Sequence, residues 1–131
     1  MKAMIPEKIY EGYLRLREKG FDVELSNSFR YLLIRKVRLP AKFNQVYTDI
    51  LIENDPYSDY TPPNAYVERT LRVWKPYLGK YAKSAHLDES LTPQQMLDKG
   101  WVKLCYRINW DPNFSLIDFV IMILKFLRGL E

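Results

Sequence analysis

The order of elements predicts an α+β fold, in which an antiparallel four-stranded meander is flanked by an N-terminal and a C-terminal helix. Apolar residues recur at helical spacing at both ends of the chain, over residues 6–19 and 116–130. Between them, consecutive segments alternate apolar and polar residues, which favours antiparallel strands packed against the helices. The strand–helix rhythm of a nucleotide-binding sheet and its glycine-rich phosphate loop are both missing. The 131 residues fit a single domain, residues 1–131.

The first helix is predicted over residues 6–19. Pro6 suits the first helical turn, and Gly20 suits the end of the helix. Its apolar face is formed by residues at helical spacing: Ile9, Tyr10, Tyr13, Leu14 and Leu16.

The middle of the chain reads as strands joined by polar loops. Alternation predicts strands over residues 21–25, 30–39, 46–53 and 65–73. Segment 54–64 is rich in Asp, Pro, Ser and Tyr and is predicted as a loop. Within the irregular segment 74–100, Thr92 is predicted to cap a short helix that Gly100 ends.

Two further elements close the chain. Residues 101–108 are predicted as a strand that places Lys103, Cys105 and Arg107 on one face. Ser115 is predicted to begin the last helix, with Asp118 three residues later as in a capping box.

Composition excludes several classes of protein. Cys105 and His86 are the sole cysteine and histidine, which excludes a disulfide framework, a cysteine-based zinc site and a His-rich metal centre. We therefore expect neither a metal nor a cofactor. The longest apolar run, 119–124, is far below the about 20 residues that cross a bilayer. No N-terminal signal peptide is visible, so we expect a soluble cytoplasmic protein without a membrane partner.

The net charge of +4 is concentrated in the first 50 residues, which hold ten Lys and Arg against six Asp and Glu. The excess comes largely from the second predicted strand and the loop after it: Arg30, Arg35, Lys36, Arg38 and Lys42. A solvated strand face explains this pattern better than nucleic-acid binding, which would weaken steeply with salt. The three tryptophans, Trp74, Trp101 and Trp110, are expected in the core rather than as a base-stacking platform.

Several motifs occur in an order that resembles the ubiquitin-conjugating enzyme family. The first helix carries Arg15-Leu-Arg-Glu-Lys19, the central turn reads Pro56-Tyr-Ser-Asp-Tyr-Thr-Pro-Pro63, and Trp110-Asp-Pro112 precedes the last helix. The Leu39-Pro-Ala-Lys-Phe-Asn44 loop and the following strand resemble a divergent prokaryotic branch of that superfamily. The resemblance covers nearly the whole chain and implies the ubiquitin-conjugating fold.

The resemblance also implies a function and its residues. Cys105 would accept a ubiquitin-like modifier as a thioester from an activating enzyme and pass it to an amine. Lys103 and Arg107 would favour its thiolate, His86 would act as a base, and Asn109 would stabilise the oxyanion. Two groups of residues would contact protein partners: Lys8, Arg15, Arg17 and Lys19 on the first helix, and Tyr57, Tyr60, Pro62 and Pro63 in the turn.

One departure keeps a second function open. The His-Pro-Asn that precedes the family's catalytic cysteine is absent, because His86 is followed by Leu87, Asp88 and Glu89 and lies 19 residues before Cys105. The alternative is a non-catalytic binding module of the same fold, which holds a ubiquitin-like protein or another partner.

Overall fold

The computed structural model describes residues 6–130 and has the predicted α+β architecture. Residues 1–5, where no signal peptide was recognised, lie outside the described residues. The elements, in chain order, are α1 (Pro6–Glu18), β1 (Asp22–Leu25), β2 (Tyr31–Arg38), β3 (Tyr47–Glu53), β4 (Asn64–Glu68), β5 (Val73–Lys75), β6 (Lys80–Ala82), α2 (Gln94–Asp98), β7 (Trp101–Lys103) and α3 (Leu116–Gly129).

The main sheet is antiparallel and has five strands in the order β1-β2-β3-β4-β7. The predicted meander is present as β1 to β4, because alternation in the sequence gives each of these strands one apolar face toward the helices. The prediction of four strands was one short, since β7 pairs with the far side of β4. A separate hairpin of β5 and β6 lies outside this sheet.

The predicted strand 65–73 is two elements in the structure. β4 ends at Glu68, a turn follows, and Val73 begins β5 of the hairpin. The hairpin has its own tight turn, in which Gly79 adopts a positive φ of 63° and donates its N–H to the carbonyl oxygen of Lys75. Glycine tolerates this conformation without a steric penalty, so the turn at residue 79 suits the sequence.

The predicted strand 101–108 is shorter than expected and ends at Lys103. The pairing of Tyr66 with Lys103 would place Pro63 opposite Tyr106 if it continued. Proline has no N–H to donate to a sheet, so the ladder ends where the two prolines of the turn begin. Cys105 and the residues after it therefore leave the sheet.

The two long helices cover the sheet and share one apolar core with it. Gly12 of α1 lies directly against Leu116 of α3, where a side chain at position 12 would collide with the leucine. The capping box of α3 is confirmed, because the Ser115 hydroxyl accepts the N–H of Asp118 and the Asp118 carboxylate accepts the N–H of Ser115.

The predicted cap of α2 was wrong. Thr92 is buried and its hydroxyl donates to the carbonyl oxygen of Asp88 while accepting the N–H of Lys103, so it fastens β7 rather than the helix. α2 begins after Pro93 without a side-chain cap. Among the helices of residues 6–130, none combines the length and apolarity that crossing a bilayer requires.

Candidate functional site

Cys105 lies just after β7, where the chain leaves the sheet and meets the segment that carries His86. Leu104 and Leu87 form an isolated antiparallel bridge, and the N–H of Cys105 donates to the carbonyl oxygen of His86 at 2.8 Å. Cys105 is half-buried, and its Sγ–H donates to the carbonyl oxygen of Lys103 at 3.9 Å. The backbone at Cys105 is thus fixed by the segment of His86 and Leu87, while its side chain lines a cavity.

That cavity is a narrow cleft of about 220 Å³, which we call the cysteine cleft. One wall is formed by Pro62, Pro63 and Asn64 at the end of the turn, and Cys105 and Tyr106 form the other. The structure therefore brings together the cysteine and the two prolines, which are more than 40 positions apart in the sequence. Burial raises the pKa of the Tyr106 phenol. The hydroxyl of Tyr106 has no hydrogen-bond partner among the described residues.

His86 lies beside the backbone of Cys105. Its Nδ1 is 3.2 Å from the Cys105 carbonyl oxygen, and its ring makes an edge-on contact with Phe126 of α3, with 5.1 Å between ring centroids. In the tautomer whose Nδ1–H donates to that carbonyl, Nε2 is the basic nitrogen. The imidazole is exposed at the surface.

Asn109 and Arg107 face a different cavity from the one that Cys105 lines. Both line a separate, more open cavity of about 510 Å³ beside α3, whereas Lys103 lines the cysteine cleft with Cys105. The prediction that Lys103, Cys105 and Arg107 share one strand face was therefore wrong for Arg107. The alternation on which it rested ends with β7 at Lys103.

The central turn is fixed by contacts to both ends of the domain. Tyr57 is only 1% exposed, and its ring packs edge-on against Trp110, whose Nε1–H donates to the carbonyl oxygen of Ser58 at 3.2 Å. The Lys8 ammonium pairs with Asp59 at 3.0 Å and also donates to the carbonyl oxygen of Pro112. Burial raises the pKa of Tyr57, and the nearby carboxylates add to this effect.

These contacts separate the turn residues into two groups. Tyr57 and Pro63 belong to the buried part of the molecule, so the expectation that they contact a partner is not met by their positions. Tyr60 is 79% exposed and Pro62 is half-buried at the mouth of the cysteine cleft. A partner approaching the turn would therefore meet Tyr60 and Pro62.

The outer face of α1 is apolar as well as basic. Tyr10 is 48% exposed and Leu14 is 38% exposed, although the periodicity predicted both in the core. The face that packs inward is Ile9, Gly12 and Leu16. The cations Arg15 and Arg17 are exposed on the same helix and Lys19 is exposed in the turn just after it, with the Arg17 guanidinium over the Tyr13 ring.

Two acidic residues near His86 serve the fold. Glu89 bridges Arg69 and Lys83, and these hydrogen bonds lower the pKa of its carboxyl to about 2. The Asp88 carboxylate accepts hydrogen bonds from Ser90, which lower its pKa. Both carboxylates are engaged by neighbouring residues rather than presented to a substrate.

An exposed aromatic surface lies on the hairpin and was not predicted. Trp74 is 43% exposed and packs edge-on against Tyr81, and Tyr77 and Leu78 are exposed at the tip. The expectation that Trp74 lies in the core was wrong, whereas Trp101 and Trp110 are half-buried. One signal was available, since residues 69–87 contain five cations and no acidic residue.

Comparisons with known proteins do not assign this arrangement to a family. No family model, curated protein or solved structure matches the chain. Across residues 6–130, no three His, Cys, Asp or Glu side chains are grouped to hold a metal ion. Cys105 and its neighbours are therefore the residues from which a function can be inferred.

Proposed function

We propose that this chain is a component of ubiquitin-like protein conjugation and that Cys105 accepts the modifier as a thioester. The observation that carries the proposal is the cysteine cleft, in which the sole thiol lies between a proline-rich wall and Lys103, next to His86. The ubiquitin-conjugating fold, with a meander between two helices, is part of the same proposal. The motif order described above supports it.

The reaction would proceed in two acyl transfers. The Cys105 thiolate attacks the carbonyl carbon of a thioester on the activating enzyme, a new C–S bond forms, and the enzyme's own thiolate leaves. An amine nitrogen then attacks the same carbon, the bond to Cys105 breaks, and an amide forms. The amine loses a proton in this step, for which Nε2 of His86 is the proposed acceptor.

The oxyanion of each tetrahedral intermediate needs a positive group close to Cys105. The N–H of Cys105 itself is already donated to His86, so it is not the donor. The ammonium of Lys103 is the proposed stabilising group, because Lys103 lines the same cleft. Asn109 lines the adjacent cavity, and the oxyanion role predicted for it would need a local rearrangement.

The cleft would also select what reaches Cys105. A volume of about 220 Å³ between two prolines and Tyr106 suits an extended tail of small residues, such as the glycine-rich C-terminus of a ubiquitin-like protein. Proline walls are rigid, so the cleft costs little entropy to order when the tail binds. Tyr60 and Pro62 would contact the modifier, and the exposed face of α1 would contact the activating enzyme.

The alternative is a non-catalytic binding module that holds a ubiquitin-like protein or another partner through the same surfaces. The half-buried state of the thiol and the position of Asn109 outside the cleft favour this alternative. The two functions differ in one chemical respect, since only the first forms a covalent bond at Cys105.

A charging assay distinguishes the two functions. The chain is mixed with ATP and with an activating enzyme and ubiquitin-like protein encoded in the same genome, and products are separated with and without reductant. We expect an adduct that reductant removes, that is absent with Cys105→Ala, and that becomes reductant-resistant or disappears with Cys105→Ser. His86→Ala should still charge, because the thiol is intact, but should transfer slowly, because the proposed proton acceptor is lost.

Two results would decide against the thioester. A reductant-sensitive adduct that survives Cys105→Ala would place the chemistry elsewhere in the mixture. A modifier that binds the chain in a pull-down but forms no adduct would leave the non-catalytic binding module as the function.

A further inference from the structure

A cavity away from the cysteine cleft lies beside an irregularity in β2. The pairing of β2 with β3 shifts register between Ile34 and Val37, which marks a β-bulge. Lys36 within it adopts a positive φ of 53°, and its N–H, which lacks a sheet partner, donates to the Asp49 carboxylate at 2.9 Å. A left-handed backbone at a lysine is strained, and such strain concentrates at functional sites.

Residues of the bulge line this cavity, which has a volume of about 790 Å³ and which we call the bulge cavity. Its walls come from three places: the turn after α1, the second half of β2, and the last turns of α3. It shares no lining residue with the cysteine cleft, so an occupant would leave Cys105 accessible. The volume lies within the about 300–1,000 Å³ that small-molecule sites occupy.

The lining combines an apolar floor with a cationic rim. The floor consists of Phe21, Val37, Leu39, Leu124 and Leu127. The rim carries Arg35, Lys36, Arg38 and Arg128, and among residues 6–130 Asp22 is the one acidic residue that lines the cavity.

Most of the rim charge is not neutralised within the described part of the chain. Arg35 pairs with Asp22 at 3.3 Å and with Glu24. The side chains of Lys36, Arg38 and Arg128 make no ion pair with a carboxylate between residues 6 and 130. The three cations at the rim thus attract an anionic group, and the apolar floor can bury an apolar group attached to it.

We propose that the bulge cavity binds a small amphipathic anion, an alkyl chain that ends in a carboxylate or phosphate. The alkyl chain lies on Phe21 and Leu124, the partly exposed residues of the floor, and the anionic head is held by Arg38 and Arg128. A neutral apolar ligand would leave the three cations without an anionic partner, and a purely ionic ligand would leave the exposed surface of Phe21 and Leu124 in contact with water. The proposal is independent of the thioester chemistry, because it uses different residues.

Calorimetric titration of the full chain with dodecanoate, below its micelle concentration, tests the proposal. Two comparators separate the contributions of the alkyl tail and the anionic head to binding. Dodecanol has the alkyl tail without a charge, and inorganic phosphate has the charge without an alkyl tail. We expect dodecanoate and dodecyl phosphate to bind and both comparators to bind at least about tenfold more weakly. Vesicles of phosphatidylglycerol form a further arm, since their binding alongside dodecanoate would identify a membrane lipid as the source.

Two pairs of variants locate the site. Leu124→Trp fills the floor and should abolish binding, whereas Ile121→Trp on the exposed side of the same helix should not change it. Arg38→Gln should weaken binding about tenfold, whereas Lys125→Gln, which lies outside the cavity, should leave it unchanged. Thermal melting of each variant confirms that it is folded, and Arg38→Gln keeps the test valid if Leu124→Trp does not fold.

Four results would overturn the proposal. Equal affinity for dodecanol would remove the role of the cations, and equal affinity for inorganic phosphate would remove the role of the floor. Binding of vesicles without binding of free dodecanoate, or dodecanoate binding that survives both Leu124→Trp and Arg38→Gln, would place the site elsewhere.

Discussion

Replacing Gly12 by alanine tests how closely α1 and α3 pack. An alanine in the interior of a helix is normally favoured over glycine by about 1 kcal/mol, because glycine loses more backbone entropy. At position 12 the added Cβ would lie 2.6 Å from Cβ of Leu116, and 3.0 and 3.2 Å from its Cδ2 and Cγ. The two effects therefore have opposite signs, and their magnitudes decide the outcome.

The collision should outweigh the gain in helix propensity. The nearest atom is a Cβ attached directly to the α3 backbone, so a rotation of the leucine side chain does not remove the contact. The helices have to move apart, and overpacking of this kind costs about 1–3 kcal/mol. With the upper half of that range and the propensity gain subtracted, Gly12→Ala should lower the free energy of unfolding by about 1–2 kcal/mol, or Tm by about 4–8 °C.

The assay is urea and thermal unfolding of Gly12→Ala beside Gly129→Ala. Gly129 is the last residue of α3 and an added Cβ there meets no atom within 4 Å, so its variant should be as stable as the wild type or more stable by up to about 1 kcal/mol. In a double-mutant cycle, Leu116→Ala should cost less in the Gly12→Ala background, because the alanine methyl fills part of the space. A Gly12→Ala protein as stable as the wild type would refute the close packing of these helices.

Three further predictions follow from the described contacts. Ser115→Ala removes the α3 capping box and should lower stability by about 1 kcal/mol in urea unfolding, and an unchanged midpoint would contradict that role. Tyr106→Phe removes a buried hydroxyl without a partner among residues 6–130 and should leave stability unchanged or raise it by up to about 1 kcal/mol, whereas a clear loss would reveal an unseen partner. Burial and the Glu53 carboxylate raise the pKa of Tyr66 from 10.0 to about 12, so the neutral phenol favours folding. Its contribution is full below pH 10 and is lost as the pH rises through about 12, and Tyr66→Phe should make alkaline unfolding less steep.

The elements with strong local signals were predictable from the sequence. Both long helices carry their own signals, such as the Ser115 and Asp118 capping box, and the strands from β1 to β3 alternate clearly. The bulge has a signal in the sequence as well, because Ile34 and Val37 are both apolar although they are three positions apart, and both are buried in the structure. An uninterrupted strand puts residues three apart on opposite faces, so this spacing requires an extra residue.

What could not be predicted depends on partners far along the chain. Residues 101–108 alternate throughout, but β7 ends at Lys103, because Leu104 and Cys105 pair with the segment of His86 and Leu87 and because a proline would lie opposite Tyr106. Trp74 is exposed because β5 pairs with β6 instead of joining the sheet, which its composition does not reveal. The cysteine cleft likewise needs the turn and the segment after β7 to meet, so neither segment alone indicates that Pro62 lies near Cys105.

The position of α3 in the core has a consequence for synthesis on the ribosome. Phe119, Val120 and Ile123 of this helix complete the same apolar cluster as Leu32 and Ile34 of β2, more than 80 positions earlier. A nascent chain that ends at Trp110 has made every strand of the sheet but not the helix that seals it, and its apolar face is open to water. Such chains are prone to aggregate, so the cell must either make the final segment quickly or shield the unfinished sheet with a chaperone.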